Sequence, residues 1–114
     1  MNEVILPWPP SKLMPNNKKS HWATKAKIAK EYRQACCALT KEAQLTVPDG
    51  KIELIITFCP PDKRRRDWDN CISAFKSGQD GFAEALGVND YNFLPTYKFT
   101  DDIKGWVKIQ IPSV

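Results

Sequence analysis

Between the turn Val47-Pro48-Asp49-Gly50 and the stop Cys59-Pro60-Pro61 the chain alternates strictly. Ile52, Leu54, Ile56 and Phe58 share one face of a strand, and Glu53, Ile55 and Thr57 share the other. Such an apolar face has to be buried against a second layer, which commits the chain to a sheet packed with helices. The longest helix is expected from about Ser20, its N-cap, to Ala43, because Trp22, Ala26, Ala29, Tyr32, Cys36, Leu39 and Ala43 recur at helical spacing. A second helix is expected from near Asp69 to Leu86, with Ile72, Phe75, Phe82, Ala83 and Leu86 as its buried side and Gly87 as its stop. Gly78 and Gly81 each cost up to about 1 kcal/mol relative to Ala inside a helix, and so predict a kink or close helix packing.

Val4, Leu6 and Trp8 alternate in a short first strand, at an edge or terminus, that Pro7, Pro9 and Pro10 stop. Ser11 to Ser20 reads as a polar, basic loop. Two closing strands, Thr96 to Thr100 and Gly105 to Ile111, are expected as a hairpin through Asp101-Asp102-Ile103-Lys104, with Val107, Ile109 and Ile111 inward. The order β-α-β-α-β-β predicts an α/β (α+β) fold: one domain over residues 1–114, with a small mixed sheet and two main helices.

Charge is unevenly spread. Met1 to Thr46 carries eight Lys or Arg against three Glu, whereas Val47 to Val114 carries nine against ten acids and gathers its cations largely at Lys63-Arg64-Arg65-Arg66. Lys18, Lys19 and Lys25 are close enough along the chain to act together on DNA. Cys36, Cys37, Cys59 and Cys71 form no Cys-x-x-Cys pair, and with His21 as the single histidine they are expected to be buried and reduced, with neither disulfide nor zinc. No apolar run approaches the roughly 20 residues that span a bilayer, and Met1-Asn2-Glu3 is not a basic leader, so a soluble, intracellular protein is expected.

The stretch that points to chemistry is Arg64-Arg65-Arg66-Asp67-Trp68-Asp69-Asn70, where three permanent cations run into two carboxylates. Arginine forks hold phosphate oxygens, and Mg²⁺ takes one or two carboxylates and fills its other positions with water and substrate phosphate. The expectation is metal-dependent phosphodiester hydrolysis. On a helix Asp67 and Asp69 would diverge by about 200°; in an extended segment their side chains point the same way, about 6.5–7 Å apart at the backbone. Asp67 and Trp68 are therefore placed before the helix and Asp69 at its N-terminus. Asp is also a favoured N-cap, so a purely structural role competes. Lys76, seven residues after Asp69, returns to nearly the same face, and Asp90 follows Gly87. Trp68 is expected in the core rather than stacked on a base.

Leu6-Pro7-Trp8-Pro9-Pro10-Ser11, Pro60-Pro61-Asp62 to Arg66, Asp67-x-Asp69-Asn70, a helical lysine and the later Asp90 together resemble the RusA-type Holliday junction resolvases of bacteria and their phages. The likeness spans nearly the whole chain. It implies a homodimeric, Mg²⁺-dependent endonuclease that resolves four-way DNA by paired nicks in DNA recombination and repair. It implies too a bacterial cytoplasm, with a phage or prophage gene as one origin. By motif position Asp67, Asp69 and Asp90 would be the catalytic, metal-holding carboxylates and Lys76 the catalytic lysine. Lys18, Lys19, Lys25, Lys63, Arg64, Arg65 and Arg66 would meet DNA.

Two departures stand out. The family lysine often falls four residues after the second aspartate, where this chain has Ser73, and the later acidic site is often Asp-Asp, here Asn89-Asp90. Asp80, four residues beyond Lys76, is expected to pair with it or face solvent. A seventeen-residue helix would carry the chain about 25 Å from Asp69 before Asp90 appears. Either that helix breaks near Gly78 and Gly81, or Asp90 completes the site of a second copy across a twofold axis; the second option, an intertwined homodimer, is the expectation. The competing readings are a non-catalytic DNA-binding module and a less selective nuclease for branched or flapped DNA.

Overall fold

The computed structural model describes residues 2–15 and 21–112. Four strands, β1 (Glu3–Pro7), β2 (Ile52–Cys59), β3 (Phe93–Phe99) and β4 (Trp106–Gln110), form one mixed sheet in the order β1-β4-β2-β3. Three helices, α1 (Trp22–Ala43), α2 (Trp68–Ala74) and α3 (Lys76–Leu86), pack with it, and short 3-10 turns lie at Ser11–Leu13 and Asp90–Asn92. The expected small mixed α/β domain is observed, with β1 at an edge. Among the described residues no helix is long and apolar enough to cross a membrane.

The alternating residues of β2 do what their spacing requires. Ile52, Leu54, Ile56 and Phe58 are buried with Val4, Leu6, Val107 and Ile109, beneath Tyr32 and Cys36 of α1, Cys71 of α2, and Phe82 of α3. Phe58 sits at the hub, stacked on Phe99 at 5.3 Å and edge-on to Phe75 at 5.7 Å and Trp8 at 6.1 Å. Fully burying a side chain of this size stabilises by about 1.5–3 kcal/mol. All four cysteines are buried as free thiols, and burial pushes the Cys36 thiol up to about 11.

Three expectations are corrected. First, β3 and β4 do not form a hairpin. β3 pairs parallel to β2, and β4 pairs antiparallel to β2 on its other side, so β2 lies between them. Parallel neighbours need a crossover, supplied by α2 and α3, and the 100–105 loop arches over the end of β2 with Thr100 N–H donating to Phe58 O at 3.1 Å. Second, the second helix is two helices, broken at Phe75 rather than at the glycines. Of the two outcomes expected at Gly78 and Gly81, close helix packing is the one observed: a Cβ on Gly81 would run into the Arg33 carbonyl oxygen, and one on Gly78 would lie 2.8 Å from the rings of Phe75 and Tyr32. Third, the N-cap of α1 is His21, whose Nδ1 accepts from Ala23 N–H at 3.3 Å; Ser20 lies outside the described residues.

Tyr32 ties α1 to the end of β1, its hydroxyl donating to Pro7 O at 2.6 Å. Asn2 does the same at the other end, exchanging hydrogen bonds with the Thr46 backbone at 2.7 and 2.9 Å. The long helix is thereby held along β1, and the loop after Pro7 is delivered to the same end of the sheet as the loop after Cys59.

Candidate active site

The arginine loop owes its shape to Asp62, which the sequence analysis passed over. Its carboxylate accepts from Arg64 N–H at 2.9 Å, pairs with the Arg64 guanidinium at 3.2 Å and pairs with Arg66 at 2.9 Å. The Arg64 backbone bond and then the two guanidinium groups hold the Asp62 carboxyl down to about 2. Arg66 faces inward. Only 15% of its side chain is exposed; it donates to Asp62 O at 3.2 Å and Arg64 O at 3.0 Å, and lies 5.6 Å from the Trp8 ring centroid. An arginine fork suits this work because it can satisfy two carbonyls and a carboxylate at once. Lys63 and Arg65 are exposed and, among the described residues, have no ion-pair partner; Arg64 is 84% exposed despite its bond to Asp62. The signal that could have exposed Asp62 is its i,i+4 spacing to Arg66 in a segment with no helical pattern.

Gly105 joins this loop to the one after β1. Its N–H donates to Cys59 O at 3.0 Å, and its carbonyl accepts from Trp8 N–H at 3.3 Å. The φ of +75° there is one that glycine adopts without strain. The result is a groove of about 290 Å³, lined by Trp8, Pro9 and Met14 from the segment after β1 and by Arg64, Arg65, Asp67 and Asn70 from the segment after β2. The segments Leu6–Ser11 and Pro60–Asn70, far apart in sequence, meet here.

Asp67 is the N-cap of α2, in extended conformation, with Asp69 N–H donating to its Oδ1 at 3.1 Å. Trp68 is already the first helical residue, one position earlier than expected. The helix-end amide thus goes to the chain's own carboxylate. Both Asp67 and Asp69 are exposed, and among the described residues the Asp69 carboxylate has no hydrogen-bond or ion-pair partner. Two exposed carboxylates on one helical turn are a donor set that suits a hard divalent cation completed by water and phosphate.

Lys76 and Asp90 form a second cluster. Lys76 Nζ pairs with Asp90 Oδ2 at 2.8 Å and with Asp80 Oδ1 at 3.0 Å, as expected for Asp80. The hydrogen bonds to Asp90 and then Asp80 raise the Lys76 pKa, and the bond from Lys76 lowers that of Asp90. Asn89 caps the Asp90–Asn92 turn through Tyr91 N–H at 2.9 Å. The break at Phe75 is what redirects the chain so that a lysine at the start of α3 meets a carboxylate beyond its end. Among the described residues no three His, Cys, Asp or Glu side chains form a group that could hold a metal ion.

Of the expected DNA contacts, Lys25 is half-buried in the first turn of α1, and Lys18 and Lys19 lie outside the described residues. Trp68 is half-buried: it stacks on Phe99 at 4.4 Å and also lines a second groove, which shares Arg64, Arg65 and Arg66 with the first.

Comparison with known proteins adds kinship over the whole chain. An uncharacterized protein of Xylella fastidiosa (strain Temecula1) is 33% identical over 120 aligned positions, which take in 100% of this chain and 78% of the relative. The chain belongs to that protein's family. No family model matches it. Kinship with the Xylella protein therefore covers both candidate clusters and every element of the sheet.

Proposed function

We propose that this chain is a Mg²⁺-dependent, structure-selective endodeoxyribonuclease of the RusA type, resolving four-way DNA junctions by paired nicks as a homodimer. The observation that carries the reading is the convergence of the Leu6–Ser11 and Pro60–Asn70 segments on one groove, with cations along one wall and Asp67 beside them. Asp67 and Asp69 would hold the ion. When bound, Mg²⁺ supplies activation of a water for in-line attack and stabilisation of the leaving 3′ oxygen. Lys63, Arg64 and Arg65 bind flanking phosphates and supply salt-sensitive, sequence-independent affinity, while Arg66 keeps their loop in shape. Arg64 exchanges Asp62 for a phosphate at little cost, because both are exposed.

Asp90 reaches the site of a second copy across a twofold axis and carries Lys76 with it, where the ammonium offsets charge growing on the phosphate. A second reading, a non-catalytic DNA-binding module, is favoured by the structural work that Asp67 and Asp90 already do as a cap and an ion-pair partner.

Purified protein incubated with four-way junction, flap and linear duplex, with and without Mg²⁺, separates the readings. Symmetric paired nicks in the junction alone support the resolvase. Cleavage of flap and junction alike supports a broader nuclease, and binding without nicking sinks the enzyme.

A further inference from the structure

Next to the arginine loop, Trp68 ends a column of stacked rings that starts in the core. Phe58 lies 5.3 Å from Phe99 with 20° between planes, and Phe99 lies 4.4 Å from Trp68 with 29° between planes. Phe58 is fully buried, whereas Trp68 is half-buried and lines a groove of about 480 Å³ together with Pro60 and Ile103, the latter 43% exposed. That volume falls within the range of small-ligand sites. The same groove is lined by Lys63, Arg64, Arg65 and Arg66 against two carboxylates, Asp62 and Asp101, and Asp62 already pairs with two of those arginines.

We propose that this groove binds an unpaired nucleobase of single-stranded or branched DNA, stacked against Trp68 beside Ile103, with the adjoining phosphates on Lys63 and Arg65. The inference rests on the DNA-acting reading above and adds to it a site for the base rather than for the cut phosphate. Three features argue for this occupant. An aromatic ring already supported on one side by Phe99 loses little freedom on binding, and base–aromatic stacking is tolerant of sequence because every base has a π-face. Unpaired cations at the rim complement a phosphodiester chain, not an apolar peptide. Bases inside a continuous duplex already have stacking partners on both sides, so the groove selects DNA with bases out of the stack. Trp68 lies between Asp67 and Asp69 in the chain, so a base held there sets which neighbouring phosphate meets the carboxylates.

The test is binding in EDTA, where no cleavage intervenes, of a labelled short oligothymidylate and of a blunt linear duplex. Trp68→Ala is expected to weaken oligothymidylate binding about tenfold or more, the scale of one lost stack, with duplex affinity held within about twofold; Trp68→Phe recovers most of the loss. Equal loss on both probes, or no loss on either, overturns the proposal. If Trp68→Ala does not melt cooperatively, tryptophan emission decides: oligothymidylate quenches the wild type, which has four tryptophans, and does so far less in Trp68→Phe. Equal quenching in the two overturns it. A wild type that nicks junctions yet fails these tests sinks the base site alone. One that binds oligothymidylate through Trp68 and nicks nothing sinks the nuclease reading alone.

Discussion

The two acidic clusters of this chain differ in where their charge is answered. At the Asp67–Asp69 turn two carboxylates lie exposed, in the same segment as the exposed Lys63 and Arg65, and among the described residues Asp69, Lys63 and Arg65 have no ion-pair partner. At the other cluster Lys76 answers both Asp80 and Asp90 within the chain. Exposed opposite charges held apart by a rigid loop are poised for something outside the protein; charges already paired are poised for stability, or for release when a better partner arrives. The difference predicts that the first cluster takes up metal as it stands, and that cleavage waits for assembly to bring the second cluster to it.

The strongest way to break that comparison is Asp67→Asn or Asp69→Asn. Either should lower Mg²⁺-dependent junction nicking by at least about a hundredfold, while junction binding is kept or tightened because charge repelling DNA is removed. A gel-shift series beside a nicking assay reads both, and loss of binding counts against the metal role. Next comes a mixed dimer of Asp69→Asn and Asp90→Asn subunits. If Asp90 acts across the twofold axis, one site of the pair is intact and the dimer makes single nicks; if it acts within its own chain, both sites are damaged and the dimer is dead.

Smaller effects sharpen the comparison. Lys63→Ala and Arg65→Ala should each lower DNA affinity evenly across sequences and reduce the slope of log affinity against log salt by about one, with thermal stability unchanged. Lys76→Met should lower the urea midpoint slightly at unchanged slope, since its pairs are exposed and screened. That loss has a pH signature. The depressed Asp90 contributes above its ordinary value of 3.8 and stops contributing as pH falls through its lowered value; the raised Lys76 contributes below 10.5 and stops as pH rises through its elevated value. The wild type and Lys76→Met should therefore differ most between these limits and converge outside them.

Elements whose signals lie within one turn or one strand were legible. β2 and α1 followed from their periods, and Asp67 lies ahead of its helix in extended conformation as expected, with only Trp68 drawn into the helix. What a local pattern cannot carry is the identity of a neighbour. Thr96–Ile111 reads as a hairpin because two strands flank a polar loop, yet β2 competes for both and lies between them. Pro95 hid the first half of β3, since proline demotes a strand to an edge, which is the position β3 takes. Phe75 fits the apolar stripe of a continuous helix, so the break there left no trace, whereas the glycines did announce the close packing of α3 on α1, with Gly81 against the α1 backbone and Gly78 against the Tyr32 ring. Arg66 turns inward onto Asp62 and the Arg64 carbonyl, partners within its own segment, but the Trp8 ring 5.6 Å from it comes from the loop after β1, which no spacing within Pro60–Asn70 encodes.

The seat of β4 between β1 and β2 has a consequence at a distance. No other strand pairs with both β1 and β2, and the Gly105 residue that leads into β4 pins Trp8 to the loop after Cys59. A change that unseats β4 should therefore open the groove beside Asp67, although no β4 residue lines it.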